Sequence, residues 1–312
     1  MSTGATWTGD EPRQAPDPAA EAEPPEWELC GELVAARLVQ VITLISGGVA
    51  DYHADDFDTA LPDVPAAAEG LDRLRANCAS AARLVSIFAD TQEARLAEMG
   101  TGRLIRVVLH AEHGAIFCYQ IVPGQYVVAF AFLDDAAAHT DPLTEHAAVN
   151  RVDREITTLV RGLRDRLGLP DQNPGGWAAP PSLPPQSGLA ESVRHGDLHL
   201  VARVRQGRDT EGHDCFDLPT MRQYLKVIDA GRRRAFYAEF AEAMFATVGQ
   251  VGRLVRATVA GHLRRVVLDV EQGAVYYYRL GVGDYLTGVT LNQSEVSAAD
   301  ARLARLADEL PS

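Results

Sequence analysis

Histidine, cysteine and carboxylate side chains recur in groups that could hold a metal ion or activate a nucleophile. His110 and His113 flank the end of an apolar run, and His195, His199, His213, Asp214 and Cys215 offer nitrogen, oxygen and sulfur donors. Their spacings match no zinc pattern, exposed loop histidines are the ordinary account, and neither a metal nor a cofactor is expected. Cys118, between Phe117 and Tyr119, reads as a strand packing position rather than a nucleophile. The paired carboxylates Asp55-Asp56 and Asp134-Asp135 fall in loop or strand-end contexts, where solvation or capping accounts for them. No GxxxxGK[ST] phosphate loop occurs, and Gly281-Val-Gly283 joins two apolar runs without opening a helix, so it is no dinucleotide motif. No catalytic residue is expected.

Arg232-Arg233-Arg234 is the one compact basic cluster, and its planar guanidinium groups could meet an acidic surface or a phosphate. The chain as a whole is acidic, with a formal charge of −14. The excess sits early: residues 31–168 hold nineteen acids against twelve arginines, whereas from residue 189 onward the count is sixteen against sixteen. That balance argues against general nucleic-acid binding, which needs a basic footprint. Four cysteines without a CxxC pair suggest reduced thiols and a cytoplasmic protein. Neither a signal sequence nor a run of eighteen apolar residues is present, so no membrane insertion is expected.

The elements that must position these residues are written twice. Residues 102–132 and 261–291 align at a constant offset of 159 with twelve identities in thirty-one positions. Those identities include Gly102/Gly261, Arg106/Arg265, Glu112/Glu271, Gly114/Gly273, Tyr119/Tyr278 and Gly124/Gly283. Internal similarity at this level signals a duplicated module. Each copy supplies three short strands, Leu104–Leu109, Ala115–Ile121 and Tyr126–Phe132 in the first, with matched turn glycines that suggest positive φ.

Upstream, Gln40–Ser46 before Gly47-Gly48 and His199–Arg205 before Gln206-Gly207 read as two-residue hairpins. Long helical regions follow, about 65–98 and 219–256, with apolar stripes such as Leu71, Leu74, Cys78, Ala81, Val85 and Phe88. Each is long enough for two helices, and Gly231 marks a break or bend. Closing helices are expected at Asp153–Leu167 and about Ser297–Leu310, and a short leading helix at Trp27–Ala36 and at Gly188–His195. The first module carries roughly a dozen extra residues before its closing helix, including His139–Asn150. The domain plan is a disordered acidic tail over 1–28, a module over 29–168, a Pro/Gly-rich linker over 169–188 and a second module over 189–312. The fold class is α+β, with each module a five-stranded antiparallel sheet packed with helices.

The runs Arg106-Val-Val-Leu-His-Ala-Glu-His-Gly-Ala-Ile-Phe-Cys-Tyr and Arg265-Val-Val-Leu-Asp-Val-Glu-Gln-Gly-Ala-Val-Tyr-Tyr-Tyr, in this order of elements, resemble the roadblock/LC7 family. The resemblance implies that the two modules pair edge strand to edge strand as an intramolecular pseudo-dimer, with long helix beside long helix. It also implies a non-enzymatic scaffold or regulator whose partner is a protein, a small Ras-like GTPase being the class the family points to. Tethering by about twenty residues, with an effective concentration on the order of millimolar, would favour such closure. Arg73, Arg75, Arg83, Arg232, Arg233 and Arg234, on the two long helical regions, are the expected partner-binding residues. Further self-association is a second expectation. The alternative is a small-ligand sensor of profilin- or PAS-like type, which requires a chamber between sheet and helix.

Overall fold

The computed structural model describes residues 25–58, 67, 70–133, 142–172, 188–194 and 196–310. In chain order these form α1 (Pro25–Ala35), β1 (Val41–Ser46), β2 (Val49–Asp55), α2 (Leu71–Ala97), β3 (Leu104–Ala111), β4 (Gly114–Val122), β5 (Gln125–Phe132) and α3 (Pro142–Arg166). There follow α4 (Leu189–Ser192), β6 (Leu200–Arg205), β7 (Glu211–Asp214), α5 (Ala230–Thr258), β8 (Leu263–Val270), β9 (Gly273–Gly281), β10 (Asp284–Thr290) and α6 (Val296–Glu309). The fold is mixed α+β.

All ten strands join one antiparallel sheet in the order β2-β1-β5-β4-β3-β8-β9-β10-β6-β7. Read from either edge, the strand order is the same in residues offset by 159. The central ladder pairs Val108 with Val267, which are equivalent residues of the two copies, so a local twofold passes through that pair. Because β3 and β8 each occupy the other's open edge, neither long apolar strand presents unpaired backbone.

Helices cover both faces, which is why β3, β4 and β5 read as nearly continuous apolar runs rather than alternating ones. Val107 and Leu109 face the core under α2 and α5, with Val266 and Leu268 beside them. Val108 and Tyr119, with Val267 and Tyr276, face the opposite core under α1, α3 and α6. Both cores run across β3 and β8 without interruption.

The retained polar and glycine positions are mostly devices of this seam. Glu112 accepts a hydrogen bond from the backbone N–H of His262 (3.0 Å), and Glu271 accepts from that of Arg103 (3.2 Å). Gly102 and Gly261 hold φ near +78° and +76°, and a Cβ on Gly261 would lie 2.6 Å from Glu112 Cβ. Only glycine lets each clasping glutamate sit so close to the backbone.

Several expectations need correction. The helix begins at Pro25, so the last four residues of the expected 1–28 tail belong to α1; residues 1–24 lie outside the described residues. The second hairpin is not a two-residue one, because five residues separate Arg205 from Glu211. Gly231 breaks nothing: it stands in the first turn of α5, whose N-cap is Asp229, and a 3₁₀ turn over Pro219–Gln223 precedes it. In the first copy the helix α2 covers Leu71–Ala97, and residues 65, 66, 68 and 69 of the expected region lie outside the described residues. Gly273 has positive φ, but Gly114 does not; Gly114 is required because a Cβ there would overlap the Ala131 carbonyl. Of the extra segment His139–Asn150, residues 142–150 extend α3, and 139–141 lie outside the described residues, as do linker residues 173–187.

Candidate partner-binding groove and seam cluster

The twofold that joins the strands also sets α2 beside α5. Asn77 Nδ2 donates to the Ala257 carbonyl (2.9 Å), and the Arg95 guanidinium lies 4.7 Å over the Phe240 ring. Between the helices runs a groove of about 610 Å³. Leu84, Ile87, Phe88 and Arg95 line one wall at helical spacing; Val251, Arg253 and Leu254 line the other. Leu84 and Ile87 are 54% and 55% exposed, which is unusual for large aliphatic side chains so close together. The lining holds two arginines and no carboxylate.

The six expected partner-binding arginines do not form one surface. Arg73, Arg83 and Arg232 are exposed, but Arg233 is 4% exposed and donates to the Tyr224 carbonyl (3.1 Å). Three consecutive residues on a helix point about 100° apart, so a run of arginines cannot share a face. Arg75 and Arg234, equivalent at the offset of 159, are both spent internally. Arg75 binds Asp55 and Asp58 and lies 5.6 Å over Phe57; Arg234 binds Asp214 and Asp217 and lies 5.9 Å over Phe216. Burial raises the Asp214 carboxyl, but the Arg234 fork outweighs it and holds Asp214 below its ordinary value. Each arginine therefore latches the turn after an edge strand to a long helix. The groove arginines Arg95 and Arg253 were missed because their sequence neighbourhood is unremarkable; only the apposition of α2 and α5 brings them together.

On the opposite sheet face, a cluster of charges is buried at the seam. Arg106 is 3% exposed and lies 2.9 Å from both Asp153 of α3 and Asp269 of β8. Tyr119 donates to the Asp153 carboxylate and accepts from Arg106 Nη1 (3.2 Å). The second copy repeats the motif with Arg265, Asp300 of α6 and Tyr278, whose hydroxyl donates to Asp300 (2.6 Å). Burial pushes Asp153 up against the pull of Arg106, and pushes Asp269 up to about 6. Asp300 goes the other way: burial opposes its ionisation, yet Arg265 and His146 hold it well below the usual carboxylate range. Burial, with Arg265 beside it, lowers His146. Such pairs fix register more than they add stability, because desolvation offsets much of the attraction.

The residues first considered for metal or nucleophilic chemistry are scattered. His199 Nδ1 accepts from the Leu291 N–H (2.8 Å), Asp214 is held by Arg234, and His213 lies 3.7 Å from Glu211. Cys118 is buried, and burial pushes its thiol well up. Among the described residues, no three histidine, cysteine or carboxylate side chains converge to hold a metal ion; His195 and Asp134-Asp135 lie outside them. No helix among the described residues is long and apolar enough to cross a membrane. The chain matches no family model and no curated protein.

Proposed function

We propose that this chain is a non-enzymatic scaffold or regulator, a tandem roadblock-like pseudo-dimer that takes a folded protein partner in the groove between α2 and α5. The exposed Leu84 and Ile87 beside Arg95 and Arg253 carry the reading. An apolar strip flanked by cations, on a protein whose net charge is −14, suits a partner with an apolar ridge and an acidic flank. A small Ras-like GTPase is the partner class to which the resemblance points. Four buried cysteines free of disulfides support a cytoplasmic location. The sensor alternative is weaker, because Cys78, Val85 and Ala89 of α2 fill the space against the sheet that a ligand chamber would need.

The test is retention of purified Ras-like GTPases, in each nucleotide state, by the full chain and by the L84E/I87E variant. Both side chains are half exposed, so the variant should fold. Binding to the parent chain and a loss of about thirtyfold or more in the variant are expected. Retention of none in either state would sink the GTPase assignment, and equal binding by the variant would move the partner off this groove.

A further inference from the structure

Where the two copies are overlaid at the offset of 159, one end of the seam is closed and the other is open. The open end is a cleft of about 580 Å³ between β8, β9 and α6, on the sheet face opposite the α2/α5 groove. Its polar side carries His110, His146, His262, Arg264, Arg265 and Arg279, against Glu112 and Asp308. Its apolar side is made by Leu280, Val282, Ala307 and Leu310.

The equivalent place in the other half is filled by the protein. Ile105, the counterpart of Arg264, is buried there, whereas Arg264 is partly exposed. The last turn of α3 extends past the point where α6 ends, and its Arg164 donates to the Ile121 and Pro170 carbonyls. The electrostatics differ in the same sense. Arg106 has two carboxylates within 2.9 Å, Asp153 and Asp269. Arg265 has Asp300 at 3.4 Å, and across the strand, where Asp269 faces Arg106, it faces His110. Its other partners are the neutral Asn150 (3.1 Å) and the ring of His146, which burial and Arg265 itself hold toward the neutral form.

From this asymmetry we propose that the open cleft binds a small organic phosphate of about nucleotide size. The volume lies in the range of small-molecule sites. Guanidinium and imidazole donors would meet the phosphate oxygens, and the Leu280–Leu310 side would cover the apolar part of the ligand. The site is independent of the partner groove, since the two lie on opposite faces.

Calorimetric titration of the full chain with ADP, and separately with inorganic pyrophosphate, tests the proposal. Saturable one-to-one binding of ADP is expected, with pyrophosphate weaker because it leaves the apolar side empty. H110D installs the carboxylate that the other half has at Asp269, and R264I installs the residue it has at Ile105; each should weaken ADP at least about tenfold. R208A, an exposed arginine outside the cleft, should leave affinity unchanged. Circular dichroism checks folding, and R264I, at a partly exposed position, decides alone if H110D does not fold. Absence of saturation by ADP up to about 10 mM, unchanged affinity in a folded R264I chain, or an equal loss in R208A would each overturn the site.

Discussion

At the scale of single residues, the seam cluster shows one guanidinium type used in two balances. Arg106 sits between two carboxylates, one of which, Asp269, is raised to about 6 by burial against the pull of Arg106. A carboxyl raised above its ordinary 3.8 binds its proton more tightly in the folded chain than in the unfolded one. Its stabilising contribution is therefore fullest below about 3.8 and is lost as pH rises through about 6. His146 runs opposite: lowered by burial and by Arg265, it withholds its proton in the folded chain, so its contribution is present above 6.5 and declines as pH falls below that value. Comparing D269N with the parent separates the two. Urea unfolding between about pH 4 and 6 should show their stability difference changing by up to ~1.4 kcal/mol per pH unit, with the parent gaining toward acid. Parallel pH profiles would show that Asp269 is ionised throughout.

At the scale of elements, charge and turn chemistry serve connection. Arg75 ties the end of β2 to α2, and Arg234 ties the end of β7 to α5. R75A should speed amide exchange over residues 55–58, and R234A over residues 214–217, each leaving the other latch protected. Equal exchange in parent and variants would mean that Phe57 and Phe216, both buried, hold these turns unaided. The β9 hairpin is less forgiving. Gly273 has φ +127° and its Cβ would overlap the Thr290 carbonyl, whereas Gly124 has φ +76° and open space. G273A should cost about 3 kcal/mol or more and G124A about 1 kcal/mol, read from urea midpoints. A G273A cost no larger than that of G124A would show that β10 can shift.

At the scale of the whole molecule, the seam is an interior rather than a contact between finished domains. Both hydrophobic cores cross it, a glutamate at each end accepts a backbone hydrogen bond from the other half, and Arg106 bridges it to Asp269. Cleavage of the chain between residues 172 and 188 should therefore leave the halves together as one particle in size-exclusion chromatography, with no fragment released at micromolar concentration. Separation of the halves would mean that tethering, not burial, keeps β3 against β8.

The sequence by itself determined the elements and their order. β-Branched and aromatic runs separated by the Glu112-His-Gly114 and Val122-Pro-Gly124 turns placed β3, β4 and β5 to within two residues, and the apolar stripe from Leu71 to Phe88 placed α2, because these signals are local. It also marked Arg106, Glu112, Tyr119 and the glycines as positions shared by both copies. Tertiary structure alone decided what those positions do, since the partners of Arg106 and Glu112 lie on strands and helices remote in sequence. It likewise decided the site. Arg233 turned inward and Arg75 and Arg234 were latched, while Leu84, Ile87, Arg95 and Arg253, ordinary residues on two separate helices, became the walls of one groove. The physical reason is that a local pattern sets a residue's conformation and face, but the neighbours that face meets depend on how distant elements pack.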